Sequence, residues 1–331
     1  MKRKSILIMI LVMMLAISPM EAFADANIVN IKDTKYSYAD MEKDLKRFVE
    51  LYPDAAALES LGKTADKRNI YCLRMGNPDA KKQIIVQAGI HAREWMNCQI
   101  LMKMVERYLS QYETGQCSGF AYGQIFDQVA VYVLPMVNPD GVTISQYGIK
   151  KIKSSKLRKK LKKMDKRGGY KRWKANARGV DLNRNFPASW GKKKEKNHPA
   201  SERYPGKKAG SEAETKAVLK LMKRLSGLKA CVNYHSRGEL VYWGAKGTGS
   251  KRKAAFQLAK MVKKETGYKL IDESKTYGAG GDLERYLIAK QKIPYVCIET
   301  GKEDTPLKHK SFSRIYQKNK RIIEKTAVLY L

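Results

Sequence analysis

Three short apolar runs in this sequence are each followed by a side chain that can bind a metal ion. These are residues 83–88 with His91 and Glu94 after them, residues 231–234 with His235, and residues 295–298 with Glu299. The chain has only four histidines, so two of them at the ends of such runs restrict the possible folds strongly. Imidazole and carboxylate groups at the ends of buried strands are the parts from which a catalytic zinc site with an open position is built.

Helical and strand-like patterns alternate through the chain. Apolar spacing predicts helices over 38–52, 94–112, 211–225, 251–266 and 312–329, and strands over 69–75, 83–88, 129–134, 228–234 and 294–298. A capping box formed by Ser211 and Glu214 is expected at the start of one helix. Because the central strands are apolar throughout, we predict a single α/β/α domain with a mixed, largely parallel central sheet. Ligands bind beyond the carboxyl ends of such strands, so His91, His235 and Glu299 are expected to converge.

The first residues resemble a targeting segment. A basic start is followed by an apolar stretch too short to span a bilayer comfortably and by small residues at positions 22 and 24. We interpret residues 1–24 as a secretory signal peptide, with an uncleaved anchor as the alternative. This predicts a secreted protein with no stable membrane span after cleavage, and one catalytic domain over residues 25–331.

Much of the formal net charge of +34 is concentrated in one segment, residues 150–174, here called the basic segment. It holds 14 lysines and arginines against one acid, Asp165. Such a concentration of positive charge favours the binding of polyanions, which include nucleic acid, anionic lipid and the anionic polymers of a cell wall. Export and the lack of interleaved aromatic residues argue against nucleic acid. A cell-wall polymer is one possible partner; a solvated basic helix with no partner is the plainer alternative.

The residue types at the strand ends suggest hydrolysis of a peptide bond. Two imidazoles and one carboxylate leave a coordination position of zinc open for water. A further carboxylate is then needed to accept the proton of that water, and Glu299 is the candidate. Asn183 and Arg184 form a pair suited to gripping a carboxylate.

Six short blocks, in order, resemble the zinc carboxypeptidase family of carboxypeptidases A and B. They are Gly-Ile-His-Ala-Arg-Glu-Trp from position 89, Asn-Pro-Asp-Gly from 138, Gly-Val-Asp-Leu-Asn-Arg-Asn-Phe from 179, Asn-Tyr-His-Ser from 233, Tyr277 before a glycine-rich loop, and Ile-Glu-Thr-Gly from 298. A His-x-x-Glu spacing alone would be weak evidence, but six ordered blocks are strong evidence. The resemblance runs from about Tyr36 to the last residue.

The resemblance implies roles for single residues. His91, Glu94 and His235 correspond to the zinc ligands of that family, and Glu299 corresponds to its general base. The implied substrate contacts are Asn183 and Arg184 for the terminal carboxylate, Tyr277 as the tyrosine that closes over the substrate, and Arg93 as a basic residue of the zinc block.

Two assignments remain open within the resemblance. For the cation that stabilises the oxyanion we favour Arg178, with Arg172 and Lys174 as rivals. Leu283 falls where the family sets side-chain selectivity, beside Asp282 and Glu284.

The predicted activity is that of a zinc metallocarboxypeptidase acting on C-terminal peptide bonds. One alternative is a γ-D-glutamyl-diamino-acid peptidase acting on the stem peptides of the cell wall. Another is a catalytically inactive polybasic module that binds the wall.

Overall fold

The computed structural model describes residues 27–165, 169–191, 195–244, 249–275 and 280–331. The predicted signal peptide at 1–24 lies outside the described residues. Tyr277 and the first part of the glycine-rich loop that follows it also lie outside them.

An eight-stranded mixed sheet forms the centre of the molecule. The ten strands of the described chain are β1 (Ala56–Lys63), β2 (Asn69–Met75), β3 (Lys82–Gln87), β4 (Gln116–Cys117), β5 (Phe120–Ala121), β6 (Val129–Leu134), β7 (Leu228–His235), β8 (Leu240–Trp243), β9 (Lys269–Asp272) and β10 (Tyr295–Glu299). The strand order of the sheet is β1-β2-β6-β3-β7-β10-β8-β9, and β4 and β5 form a separate hairpin. The four central strands β6, β3, β7 and β10 run parallel to one another. The prediction of a mixed, largely parallel sheet is therefore confirmed.

Helices cover both faces of this sheet. They are α1 (Tyr38–Leu51), α2 (Met96–Ser110), α3 (Tyr122–Gln128), α4 (Pro139–Tyr147), α5 (Ser155–Met164), α6 (Ala213–Arg224), α7 (Gly249–Thr266), α8 (Leu283–Arg285), a π-helical turn (Tyr286–Gln291), α9 (Phe312–Asn319) and α10 (Ile322–Val328). Alternate residues of a strand point to opposite faces, so Ile84 and Val86 belong to the apolar cluster that includes residues of α1, α2 and α10. Ile85 packs on the other face against α6 and the π-helical turn. The fold is the predicted α/β/α sandwich.

Two local predictions are wrong. The predicted capping box is absent, because α6 begins at Ala213 with Glu212 as its N-cap residue and no side-chain cap. Glu214 is instead buried, where it accepts a hydrogen bond from the side-chain amide of Asn176. The predicted closing helix is divided into α9 and α10, with a break at Lys320 and Arg321.

The basic segment is folded onto the domain. Its helix α5 buries Leu161, and the segment also buries Ile152 and Trp173 in a small apolar cluster with Ala92. The lysines of α5 point mostly to solvent. Each helix in the described part of the chain is too short or too polar to cross a bilayer.

Candidate active site

Three neighbouring parallel strands bring the predicted metal-binding side chains together. His91 follows β3, His235 ends β7 and Glu299 ends β10. In the register of β7 and β10, His235 and Glu299 lie directly opposite each other. A short 3-10 turn (Ala92–Glu94) after β3 turns the Glu94 side chain back toward His91.

His91, Glu94 and His235 form a compact buried cluster, here called the metal triad. One nitrogen or oxygen atom from each side chain lies within 4.8 Å of the others. His91 Nδ1 is 3.0 Å from Glu94 Oε1, His235 Nδ1 is 2.9 Å from Glu94 Oε2, and the two Nδ1 atoms are 3.0 Å apart. Two ring nitrogens at this distance can form a hydrogen bond only if one of them carries a proton. A divalent cation, in contrast, would bind both nitrogens and the carboxylate. Two imidazoles and one carboxylate are a donor set that zinc prefers, so the residues present fit this metal.

Each histidine ring of the triad lies next to a second polar group. His91 Nε2 lies 3.3 Å from Asp181 Oδ1, and His235 Nε2 lies 2.8 Å from the side-chain amide of Asn233. Such partners fix the orientation of a ligating ring. Burial alone would raise the pKa of Asp181, but Lys174, 3.4 Å away, and His91 hold it well below its usual value. The sequence alone assigned no role to Asp181 or Asn233, although both stand within the blocks that carry the resemblance.

A network of hydroxyl and amide groups braces the strand ends. Asn97 Nδ2 donates to Ser236 Oγ at 3.0 Å, and Thr300 Oγ1 donates to Asn97 Oδ1 at 2.7 Å. The backbone N–H of Ser236 also donates to Glu94 Oε2 at 3.2 Å. The ends of β7 and β10 and the start of α2 are thereby tied together.

Glu299 lines a cavity of about 250 Å³ that also contains the two histidines of the triad. Burial raises the pKa of its carboxyl to about 7; among its neighbours His235 lowers this pKa and Glu94 raises it. Its Oε2 atom is buried and accepts no hydrogen bond from the described residues. A buried carboxyl with a near-neutral pKa beside a metal site is suited to proton transfer.

Asn183 and Arg184 line the same cavity from a 3-10 turn (Leu182–Arg184). Arg184 Nε donates to Glu195 at 3.1 Å, and its Nη1 donates to the carbonyl oxygen of Asn183 at 2.9 Å. The guanidinium group is thus fixed at the edge of the cavity rather than free in solvent.

The start of α8 packs directly on the 3-10 turn Leu182–Arg184, here called the arginine turn. The backbone N–H of Leu283 donates to Asn183 Oδ1 at 3.1 Å. Gly281 has a φ of +80°, and a Cβ at this position would lie 2.0 Å from the carbonyl oxygen of Arg184. Only glycine allows this approach, so the two segments have a fixed relative position.

Comparison with known proteins agrees with this geometry. The sequence profile of the zinc carboxypeptidase family matches residues 41–322, most of the chain. The chain belongs to the zinc carboxypeptidase family. It is therefore a zinc metallopeptidase, a hydrolase of peptide bonds.

Relatives of this zinc carboxypeptidase carry the names of more than one activity. Gamma-D-glutamyl-L-diamino acid endopeptidase 1 of Lysinibacillus sphaericus is 28% identical over 287 residues, which cover 85% of this chain and 69% of that protein. Mast cell carboxypeptidase A of Homo sapiens is 27% identical over 198 residues, or 59% of this chain and 43% of that protein. The solved structure of carboxypeptidase A from Helicoverpa armigera has a TM-score of 0.72 at 18% identity, and the match covers 90% of this chain and 74% of that one. This structural likeness shows the fold.

The structure does not bring Arg178 to the cleft of this zinc carboxypeptidase. The chain makes a tight turn in which Gly179 donates to the carbonyl oxygen of Asn176 at 3.0 Å and Asn176 donates to that of Val180 at 2.9 Å. Arg178 stands on this turn, with a side chain 59% exposed that lies 3.5 Å from Glu212. Our preference for Arg178 as the oxyanion cation is corrected on this ground.

Of its two rivals, Lys174 lines the cavity beside the triad. Arg172 is exposed and lies 3.8 Å from Asp304. Arg93 donates to Glu202 at 3.2 Å and to the carbonyl oxygen of Arg172 at 3.3 Å, so its guanidinium is held away from the described cavity lining.

The Asn-Pro-Asp-Gly block has a structural role. Asn138 Oδ1 accepts from the N–H of Gly141 and so caps α4, while its Nδ2 donates to the carbonyl oxygens of Ile90 and Ala175 at 3.2 Å each. This side chain therefore joins the loop that carries His91 to the segment that carries Lys174.

Proposed function

We propose that this protein hydrolyses C-terminal peptide bonds, with zinc held by His91, Glu94 and His235. The observation that carries the proposal is the cavity shared by the two histidines of the metal triad, Glu299 and Arg184. A peptide whose terminal carboxylate rests on Arg184 would have its last peptide bond near the metal.

Arg184 and Asn183 would position the substrate. A guanidinium group binds a carboxylate through two parallel hydrogen bonds, and this geometry selects a chain end over an internal peptide bond. Glu195 accepts a hydrogen bond from Arg184 and so restricts the guanidinium group, which reduces the side-chain entropy lost on binding.

Glu299 would move the proton. Zinc in the triad would polarise the scissile carbonyl group and lower the pKa of a bound water molecule. Glu299 would accept the proton of the attacking water and deliver it to the leaving amine. Lys174, fixed by Asp181, would supply positive charge near the developing oxyanion.

A mass-spectrometric digest tests this function. The zinc-loaded protein is incubated with a pool of mixed peptides, beside a Glu299→Gln variant of equal zinc content. Stepwise loss of C-terminal residues from the peptides, absent in the variant, supports the proposal. An intact peptide pool in the presence of bound zinc would contradict it and favour the inactive binding module.

A second candidate function is cleavage of cell-wall stem peptides at a γ-D-glutamyl-diamino-acid bond. It is favoured by the similarity to the endopeptidase of Lysinibacillus sphaericus, which extends over most of this chain. Purified muropeptides added to the same digest distinguish the two. Cleavage confined to muropeptides would replace the general carboxypeptidase proposal with this one.

Secretion and association with the cell wall are also proposals. Beside α5 lies a groove of about 440 Å³ whose lining includes four cations, Lys156, Lys160, Arg178 and Lys207, and one acid, Glu212. This groove suits an anionic wall polymer better than it suits a neutral ligand. Binding to isolated walls should weaken as salt is raised, since exposed charges are screened. Retention that does not respond to salt would count against the polymer proposal.

A further inference from the structure

Three arginines lie beside the catalytic cleft, and the proposed mechanism uses none of them. Arg93 and Arg237 each stand two residues after a histidine of the metal triad, and Arg172 stands two residues before Lys174. We call these three residues the arginine rim. Two residues of extended chain span at most about 7 Å, so the backbone of each rim arginine lies close to the site residue that it flanks.

Backbone hydrogen bonds hold the segments of the rim in place. The N–H of Gly238 donates to the carbonyl oxygen of Gly301 at 2.7 Å, which ties the loop after β7 to the loop after β10. The N–H of Ala92 donates to the carbonyl oxygen of Lys174 at 3.0 Å, which ties the turn after β3 to the segment that contains Arg172. The backbone positions of the rim are therefore set by the same contacts that assemble the cleft.

The rim carries more positive charge than its neighbouring carboxylates balance. Arg172 and Arg237 share one carboxylate, that of Asp304, at 3.8 Å and 2.5 Å, and neither has another ion-pair partner among the described residues. Arg93 is paired with Glu202 at 3.2 Å. The side chains of Arg172 and Arg237 are 64% and 51% exposed. An exposed guanidinium group that shares its partner has donors available for a further carboxylate.

The rim lies outside the cavity that would receive the last residue of a substrate. The described lining of that cavity includes Arg184 and the two histidines of the triad, but none of the rim arginines. Leu283, where the sequence suggested that selectivity is set, is buried in the apolar core and is absent from this lining.

A bound peptide would extend from the cavity toward the rim. With its terminal carboxylate on Arg184, the peptide would have its preceding residues beyond the two histidines. A substrate residue advances by about 3.5 Å, so the first residue before the scissile bond is within the reach of a long side chain that starts close to a metal ligand. Arg237 meets this condition with an exposed guanidinium group, whereas Arg93 is held by Glu202.

Resting on the proposed function, we propose that the arginine rim selects substrates with a carboxylate on the residue before the scissile bond. Arg237 is the residue to which we assign the selection, with Arg172 as its support. Two kinds of residue carry such a group. An α-linked aspartate or glutamate presents its side chain, and a γ-linked glutamate presents its free α-carboxylate.

The test measures kcat/KM on two matched pairs of blocked peptides that share the C-terminal residue released fastest in the digest. The first pair has α-linked Glu or Gln before that residue; the second has γ-linked Glu with its α-carboxylate free or converted to an amide. We expect the carboxylate member to exceed the amide member about fivefold in at least one pair, a modest factor because the guanidinium groups are exposed. The advantage should shrink as salt is raised, since exposed charges are screened.

Variants of the rim assign the effect to a residue. Arg237→Gln should bring the ratio of carboxylate to amide substrate close to one, chiefly by raising KM for the carboxylate substrate. Arg237→Glu should reverse the preference, and Arg172→Gln should give a smaller change than Arg237→Gln. Arg47→Gln is the matched control, because Arg47 is an exposed arginine of α1 paired with Glu50; it should leave the ratio unchanged.

The outcomes separate this inference from the function on which it rests. Equal rates within both pairs, faster cleavage of the amides, or a ratio that Arg237→Gln leaves unchanged would overturn the rim assignment and leave the peptidase proposal intact. An advantage confined to the α-linked pair supports the rim and identifies acidic peptides as its substrates; one confined to the γ-linked pair supports it and identifies stem peptides.

Loss of activity on all four peptides would contradict the function instead. Calorimetric binding of both pairs to the zinc-loaded Glu299→Gln variant then decides the rim. Tighter binding of the carboxylate members supports it, and equal binding refutes it.

Discussion

The catalytic cleft and helix α5 both concentrate charged side chains, but the cleft pairs its cations with carboxylates, whereas the lysines of α5 have no such partner among the described residues. In the cleft, Lys174 lies 3.4 Å from Asp181, and Arg184 donates to Glu195 at 3.1 Å. The lysines of α5 make no ion pair with any carboxylate of the described residues. A charge with a partner has a fixed position and acts at short range, whereas a solvated charge acts through a field that salt screens. Charge counts from the sequence do not distinguish the two kinds.

The largest effect is expected when Lys174 and Arg178 are replaced one at a time, because the sequence favoured Arg178 whereas the cavity lining favours Lys174. Lys174→Met should lower kcat about 100-fold, the usual cost of removing one group that stabilises an oxyanion. Arg178→Met should leave kcat for short peptides within about twofold, since surface substitutions away from the site have small effects. Steady-state kinetics at equal zinc content measures both. The reverse order would return the oxyanion role to Arg178.

A smaller effect is expected from the partner of a metal ligand. Asp181→Asn should weaken zinc binding about 10- to 100-fold, because Asp181 orients His91 and supports its basicity. Competition with a chelator gives the affinity. Asp79→Asn, an exposed position outside the site, serves as the control. Equal zinc affinity in both variants would show that the contact between Asp181 and His91 does not support the metal.

A buried acid with no cationic partner among the described residues should make stability depend on pH. Burial, and then Asp140, raise the pKa of Glu214 to about 8 from an ordinary value of 4.5. Between these values the folded protein keeps a proton that the unfolded chain loses. The free energy of unfolding should therefore fall as pH rises from about 4.5 to 8, by more than about 1 kcal/mol.

Denaturant unfolding across this pH range measures the effect. Glu214→Gln should flatten the slope, because it removes the titrating group and keeps its size. A slope equal to that of the unaltered protein would mean that Glu214 does not carry the proton.

The smallest effect is expected on α5. Replacing Lys156, Lys160 and Lys163 together by Gln should change kcat/KM for short neutral peptides by less than about twofold, and stability by about 0.5 kcal/mol per site at most. The same variant should lose salt-sensitive binding to isolated walls. A large loss of activity on short peptides would show that the field of α5 reaches the cleft and would weaken the comparison.

The sequence predicts the parts of this molecule that depend on local pattern. Apolar runs identify the central strands, and the parallel arrangement follows from strands buried on both faces. His91, His235 and Glu299 meet because the ends of neighbouring parallel strands meet, which needs no knowledge of side-chain packing.

Other parts depend on contacts that no local pattern contains. The sequence places Arg178 and Lys174 four residues apart, and only the structure shows that Lys174 lines the cavity while Arg178 stands on the turn at Gly179. Ser211 and Glu214 have the spacing of a capping box, but Glu214 accepts a hydrogen bond from Asn176 and does not cap the helix. Glu273 follows a four-residue strand and belongs to none of the family blocks, so its presence in the cavity is visible only in the structure.

The close packing of Gly281 against Arg184 has a consequence for attempts to redesign selectivity. A side chain at position 281 would displace the turn that carries Asn183 and Arg184, so a substitution made there to alter the neighbouring cavity lining would also weaken the proposed hold on the chain end. Glu273 stands on a separate element and offers an independent position for change. An engineer who wishes to alter what this enzyme selects without altering where it cuts should begin after β9 and leave the glycine untouched.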